Sequence, residues 1–237
     1  MELRLPSISG VIPWSLAIKA AVVTLVWFWA PWWVFAALTA VFFYQGVRDP
    51  DLSYNLTFIA FLITTWWLSL MAGAAATGLG ILILPEAAII IGLRHMMWLK
   101  KALWHRFLSA LVWLTFLTTF FWLTSFVNQV WYGFIMLAAV AYFLSRDLMR
   151  VAIGREQEKF LAGVTTFVLV EAAWAVFMLP IEPINKGVLM LLVSLMAQEY
   201  LIRSETGRKA TPVFYLTMSS VFVALFLAIL FVSSWTI

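Results

Sequence analysis

Residues 107 to 124 read FLSALVWLTFLTTFFWLT, an unbroken run without a charge, a proline or a glycine. As a helix rising 1.5 Å per residue, this run is about 27 Å long, close to the roughly 30 Å of hydrocarbon in a bilayer. It reads as a membrane span, and the rest of the chain can be laid out on either side of it.

Eight further apolar stretches follow the same pattern: 11 to 29, 31 to 46, 55 to 72 and 77 to 93 before it, and 129 to 145, 160 to 179, 187 to 202 and 212 to 235 after it. Spans of about 20 residues each leave only short loops and tails, none long enough to bury a core of its own. The composition agrees, since 65% of the 237 residues are hydrophobic and 11% charged, whereas a soluble domain carries roughly a quarter of its residues charged. The sequence therefore predicts an all-α polytopic integral membrane helix bundle of about nine transmembrane helices. It forms a single transmembrane domain over residues 1 to 237, with no soluble domain. Eight spans is the alternative, with the first stretch lying in the interface. That stretch carries Lys19 near its middle and runs through Ala30-Pro31-Trp32-Trp33 directly into the next, so it reads as an uncleaved span and not as a signal peptide. Cysteine is absent, which removes disulfides, thiolate metal sites and thiol nucleophiles together.

The basic residues set the orientation. With the N-terminus inside, thirteen of the fifteen Lys and Arg residues fall in cytoplasmic segments: Arg4, Arg48, the group Arg94, Lys100, Lys101 and Arg106, the group Arg146, Arg150, Arg155 and Lys159, and the group Arg203, Arg208 and Lys209. Only Lys186 faces the other side, and Lys19 lies inside a span. By the positive-inside rule this places the chain in the plasma (inner) membrane with its N-terminus cytoplasmic and its C-terminus on the opposite side. The basic balance is thereby accounted for, and no nucleic-acid partner is expected.

The chain also divides into four hairpins plus a terminal helix. Each hairpin returns to end on an arginine, at Arg48, Arg94, Arg146 and Arg203, and Thr-Thr pairs recur at Thr64-Thr65, Thr118-Thr119 and Thr165-Thr166. Duplication of a hairpin explains this pattern, as in many transporter folds. Positive-inside charge placement alone would also end each returning helix on an arginine.

Three ionisable residues sit where they cost most. Lys19 is near the centre of the first span, Glu86 at the centre of the fourth and Glu171 just past the centre of the seventh. A midplane charge costs at least about 2.5–3.5 kcal/mol, so each must face the bundle or a hydrated cavity. Two readings follow. In one, Lys19 pairs with one glutamate while the other binds a proton or cation, and the set titrates together. In the other, the three are interhelical polar staples with no traffic through them. Glu86 has the richest context. It follows Pro85, which removes a backbone donor and is expected to leave a carbonyl near residue 81 unpaired. Upstream, Ala74 with Gly78 and Ala76 with Gly80 offer small residues at spacing four for close helix approach.

In the basic segment after the fourth span, Arg94, Trp98, Lys101 and His105 share one helical stripe, which suits anionic lipid headgroups or a partner. His95 and His105 do not share a face, and no metal site is expected on them. Of the fourteen tryptophans, several fall at span boundaries as an aromatic belt. Trp66, Trp67, Trp113 and Trp174 lie inside spans, where they either pack or line an aromatic pocket. No nucleophile elbow, phosphate loop or metalloprotease motif is present, so neither an enzyme nor a cofactor is expected. The leading function is movement of a small solute or ion coupled to Glu86 and Glu171, with Lys19 as counter-charge. The alternative is a non-catalytic membrane subunit or assembly factor bound to a membrane protein partner, with homo-oligomers also in view.

Overall fold

The computed structural model describes residues 14–45, 54–71, 74–94, 101–126, 130–152, 157–205 and 212–232. Among these it is all-helical, without a strand. The helices are α1 (Trp14–Trp29), α2 (Trp32–Tyr44), α3 (Asn55–Ser69), α4 (Ala74–Gly80), α5 (Ile83–Arg94), α6 (Lys101–Phe126), α7 (Val130–Ala152), α8 (Glu158–Phe177), α9 (Pro183–Glu205) and α10 (Pro212–Val232). Every apolar stretch of the sequence is occupied by a helix, and the fourth is occupied by two, α4 and α5. Among the described residues, four segments are long and apolar enough to cross a membrane: Ala76–Arg94, Leu103–Thr124, Glu158–Phe177 and Pro183–Ser204.

Proline marks the starts. Pro31 precedes α2 with ψ 144°, an extended conformation that ends the path of α1, and its carbonyl accepts the N–H of Val34 at 2.9 Å. Pro183 and Pro212 open α9 and α10, where a missing backbone donor costs nothing. Two helices outrun their apolar stretches. α6 begins before residue 107 and α7 continues past residue 145 through Arg146 and Asp147, because the polar ends find partners on neighbouring helices.

α6 lies at the centre, packed against α3, α5, α7 and α9. It contributes Trp113, Phe116, Leu117, Phe120 and Phe121 to the core, all essentially without exposure. α7 lies between α3 and α8, α1 packs on α5 and α2, and α10 rests on α9. Two glycines set the closest approaches. A Cβ at Gly187 would lie 2.8 Å from Thr118 Oγ1 and 3.0 Å from its backbone N, so α9 meets the backbone of α6 there. A Cβ at Gly80 would lie 2.6 Å from the Trp27 ring, which fixes α4 against α1. Of the expected small-residue contacts, then, Gly80 makes one. Gly78 has open space around its Cβ position, because it sits on the outer side of the short helix α4.

The paired threonines turn inward. Thr64, Thr65, Thr119, Thr165 and Thr166 each return their hydroxyl proton to a carbonyl three or four residues earlier on their own helix, at 2.7–3.0 Å. Local bonds of this kind let a hydroxyl enter an apolar interior without a partner from another helix.

Candidate functional site

Glu86 lies where the fourth span is interrupted. Between α4 and α5 the backbone tightens, with Leu82 N–H donating to Leu79 O at 3.0 Å and Leu84 N–H to Ile81 O at 3.2 Å. The expectation of an unpaired carbonyl near residue 81 is thus corrected. Pro85 cannot reach back to Ile81, but the residue before it can, by closing a shorter turn. Glu86 N–H resumes the helix on Leu82 O at 3.1 Å.

The Glu86 side chain has no exposure. Thr115 of α6 donates its hydroxyl proton to Oε1 at 2.7 Å. Oε2 is buried and has no partner among the described residues. Among the described residues, no Lys or Arg forms an ion pair with this carboxyl. A carboxyl held this way is neutralised most cheaply by a proton or a small cation.

The other two midplane residues do not join it. Lys19 is half-buried on α1, with Nζ 5.7 Å from the centre of the Phe42 ring. Glu171 is exposed on α8, on the face that also carries Val164, Phe167, Val168 and Trp174. No hydrogen bond or ion pair links Lys19, Glu86 and Glu171, so the expected single coupled site is not formed. The reason lies in α8, whose inward face is Leu161, Ala162, Thr165, Leu169, Ala173 and Val176. The helical period turns Glu171 away from that face.

A second polar cluster gathers at one end of the bundle. His105, expected on a headgroup-facing stripe, is instead without exposure. Its Nε2 lies 2.9 Å from Thr57 Oγ1, and Thr57 Oγ1 lies 2.9 Å from Asp147 Oδ2. Thr57 also donates its backbone N–H to the same Oδ2 at 2.7 Å. Thr57 is the third residue of α3, so Asp147 caps a helix N-terminus from another helix and satisfies a donor that α3 cannot. Asp147 lies two residues past the apolar stretch 129 to 145. Burial pushes its carboxyl above the ordinary value, against the two Thr57 bonds and the nearby Arg150 charge. Just before α3, Tyr54 holds a left-handed backbone with φ 69°, and its ring lies 5.2 Å from the His105 ring. A bulky residue in that region costs about 1–3 kcal/mol and persists where its surroundings over-determine it.

Charged pairs surround the cluster. Glu158, at the start of α8, meets Arg146 at 3.1 Å and Arg150 at 3.5 Å. Glu199 of α9 meets Arg106 at 3.3 Å and Arg203 at 2.7 Å. Arg94 lies over the rings of Phe43 and Tyr44 at 5.5 and 6.0 Å. Trp98 and the side chain of Lys101 lie outside the described residues, so of the expected stripe only Arg94 and His105 are seen, and they do not share an environment. Asp147 had one legible signal, its position three residues after Leu144 on the buried face of α7. Thr57 had none.

The tryptophans inside the apolar stretches separate. Trp66 and Trp67 line a cavity of about 380 Å³ with Leu70, Leu123, Thr124, Tyr132 and Met136. Trp113 is fully buried in the core, and Trp174 stacks on Trp131 at 6.1 Å. Among the described residues no three His, Asp or Glu gather to hold a metal. No known protein family, curated protein or solved structure matches this chain. Among the described residues, fold and sites together define an all-helical bundle with four segments long and apolar enough to cross a membrane and with titratable groups buried in two separate places.

Proposed function

We propose that the chain is a nine-span protein of the plasma (inner) membrane, N-terminus cytoplasmic, that moves a small solute or ion coupled to proton or cation binding at Glu86. The observation that carries this reading is a carboxyl without exposure, held by one threonine, with its second oxygen unpartnered at a break in a span. Interrupted helices with an acidic residue at the break suit ion coupling, because the site is held by packing and can be neutralised reversibly. The orientation has support from the gathering at one end of the starts of α3, α6 and α8 and the ends of α7 and α9. This is the end where the basic residues cluster.

Proteoliposomes adsorbed on a solid-supported membrane test the reading without a known solute. A pH step is expected to produce a transient charge displacement in the wild type. Glu86→Gln loses it while keeping its helical circular dichroism. Equal displacement in both proteins would end the proposal.

Glu171 favours a second reading, a non-catalytic subunit whose α8 face is covered by a membrane protein partner, since an intramembrane carboxyl seldom faces lipid. It predicts that one partner stays bound in fixed stoichiometry through mild-detergent purification, and that Glu171→Leu releases it. A lone monodisperse chain counts against it.

A further inference from the structure

We propose that His105, Thr57 and Asp147 form a second proton-binding site, in which one proton is shared between imidazole and carboxyl through the Thr57 hydroxyl. Nothing in this depends on Glu86, which lies on a different helix pair.

The geometry rests on one atom. Thr57 Oγ1 is 2.9 Å from both His105 Nε2 and Asp147 Oδ2. A hydroxyl has a single proton, so it donates one of these bonds and receives the other. When the pair holds one proton beyond a neutral imidazole and a carboxylate, with Nδ1 protonated throughout, two arrangements satisfy both contacts. In the first, His105 Nε2–H donates to Oγ1 and the Thr57 hydroxyl donates to a carboxylate. In the second, the protonated carboxyl donates to Oγ1 and the hydroxyl donates to a bare Nε2.

Passing from the first to the second breaks the Nε2–H bond as a new Oγ1–H bond forms, and breaks the old Oγ1–H bond as Oδ2–H forms. The proton count is unchanged, and nothing is oxidised or reduced. An imidazolium and a carboxylate become a neutral imidazole and a neutral acid. The N–H of Thr57 and the positive end of α3 favour the carboxylate, whereas burial of both groups favours the neutral pair, so the two forms compete for the proton.

The two ends of this chain are His105 Nδ1 and Asp147 Oδ1. Both are buried and have no hydrogen-bond partner among the described residues. A cap that served architecture alone would need the Thr57 N–H and Asp147 and would have no use for His105. The groups facing the cluster are Tyr54 before α3, Arg106 on α6, Arg146 and Arg150 on α7, and Glu158 on α8. Arg94 is at the end of α5, and Glu199 on α9 holds both Arg106 and Arg203. The arginines are tied to carboxylates or rings, so none supplies an ion pair to Asp147 itself.

The chain has two histidines, so protein carrying ¹⁵N-histidine shows two imidazoles by NMR, and His95→Gln assigns them. Over a titration from about pH 3 to about pH 9, wide enough for an imidazole that burial holds below its ordinary range, His105 is expected to change protonation, and the Asp147 carboxyl ¹³C signal is expected to move over the same transition. Asp147→Asn lowers the proton affinity of His105 about tenfold or more, one pH unit on the midpoint. Thr57→Val uncouples the two signals and Thr57→Ser restores the coupling. The concerted movement in the wild type is read without any variant, which keeps the test decisive where a variant fails to fold. Glu86→Gln leaves all of this unchanged, so failure here is distinguishable from failure of the Glu86 reading. A His105 that keeps one tautomer and one charge throughout overturns the proposal. So does a midpoint equal in wild type and Asp147→Asn.

Discussion

Glu86 and Thr115 face one another across α5 and α6 at 2.7 Å, and among the described residues this is the one hydrogen bond made to a fully buried carboxyl. Removing the donor while keeping its shape leaves both oxygens unsatisfied, which costs about 1–3 kcal/mol. Thr115→Val is therefore expected to unfold at a lower temperature in detergent than the wild type, and an unchanged Tm would show that the bond contributes nothing. At this scale the two buried acids differed in legibility. Glu86 stands out against an apolar run, so its cost is visible in one dimension. Asp147 sits beside Arg146 in a basic loop and reads as a local ion pair. His105 sits among Arg, Lys and Trp and reads as a headgroup contact. What buries these two is Thr57, which lies 48 residues from His105 and 90 from Asp147, and no local pattern announces it.

Between elements, the decisive quantity is how closely two backbones approach. α9 lies on α6 so tightly at Gly187 that an added methyl would collide with Thr118 backbone, whereas Gly78 on α4 has nothing within 4 Å. Overpacking of this kind typically costs about 1–3 kcal/mol, and a helical glycine replaced by alanine in open space gains up to about 1 kcal/mol. Gly187→Ala should destabilise and Gly78→Ala should not, measured as opposite shifts in thermal unfolding; equal shifts would remove the close approach as an explanation. Helix existence was legible from hydropathy and proline. The extension of α7 past residue 145 was not, because it depends on Glu158 of the next helix meeting Arg146 and Arg150. The tightened turn before Pro85 was half legible: the proline signalled a break, and the Leu84 bond that repairs it appears only with the backbone in place.

For the whole molecule, the proposed topology has a direct test, made clean by the absence of native cysteine. Pro180, just before α9, and Ser204, in its last turn, are both exposed. Pro180→Cys should react with a membrane-impermeant maleimide added to intact cells, and Ser204→Cys only after the membrane is opened. The reverse pattern would invert the orientation. The apolar composition, the placing of helices in the apolar stretches and the lopsided charges were determined by sequence alone, because helix formation in an apolar segment depends on its own length and hydropathy and hardly on its neighbours. Which way each helix faces was decided only by the tertiary structure. In helices apolar on every side, such as α8, no polar stripe marks an outer face, so packing against neighbouring helices chooses it. That choice turned Glu171 outward, left Glu86 inside with Thr115, and brought His105, Thr57 and Asp147 together from three helices.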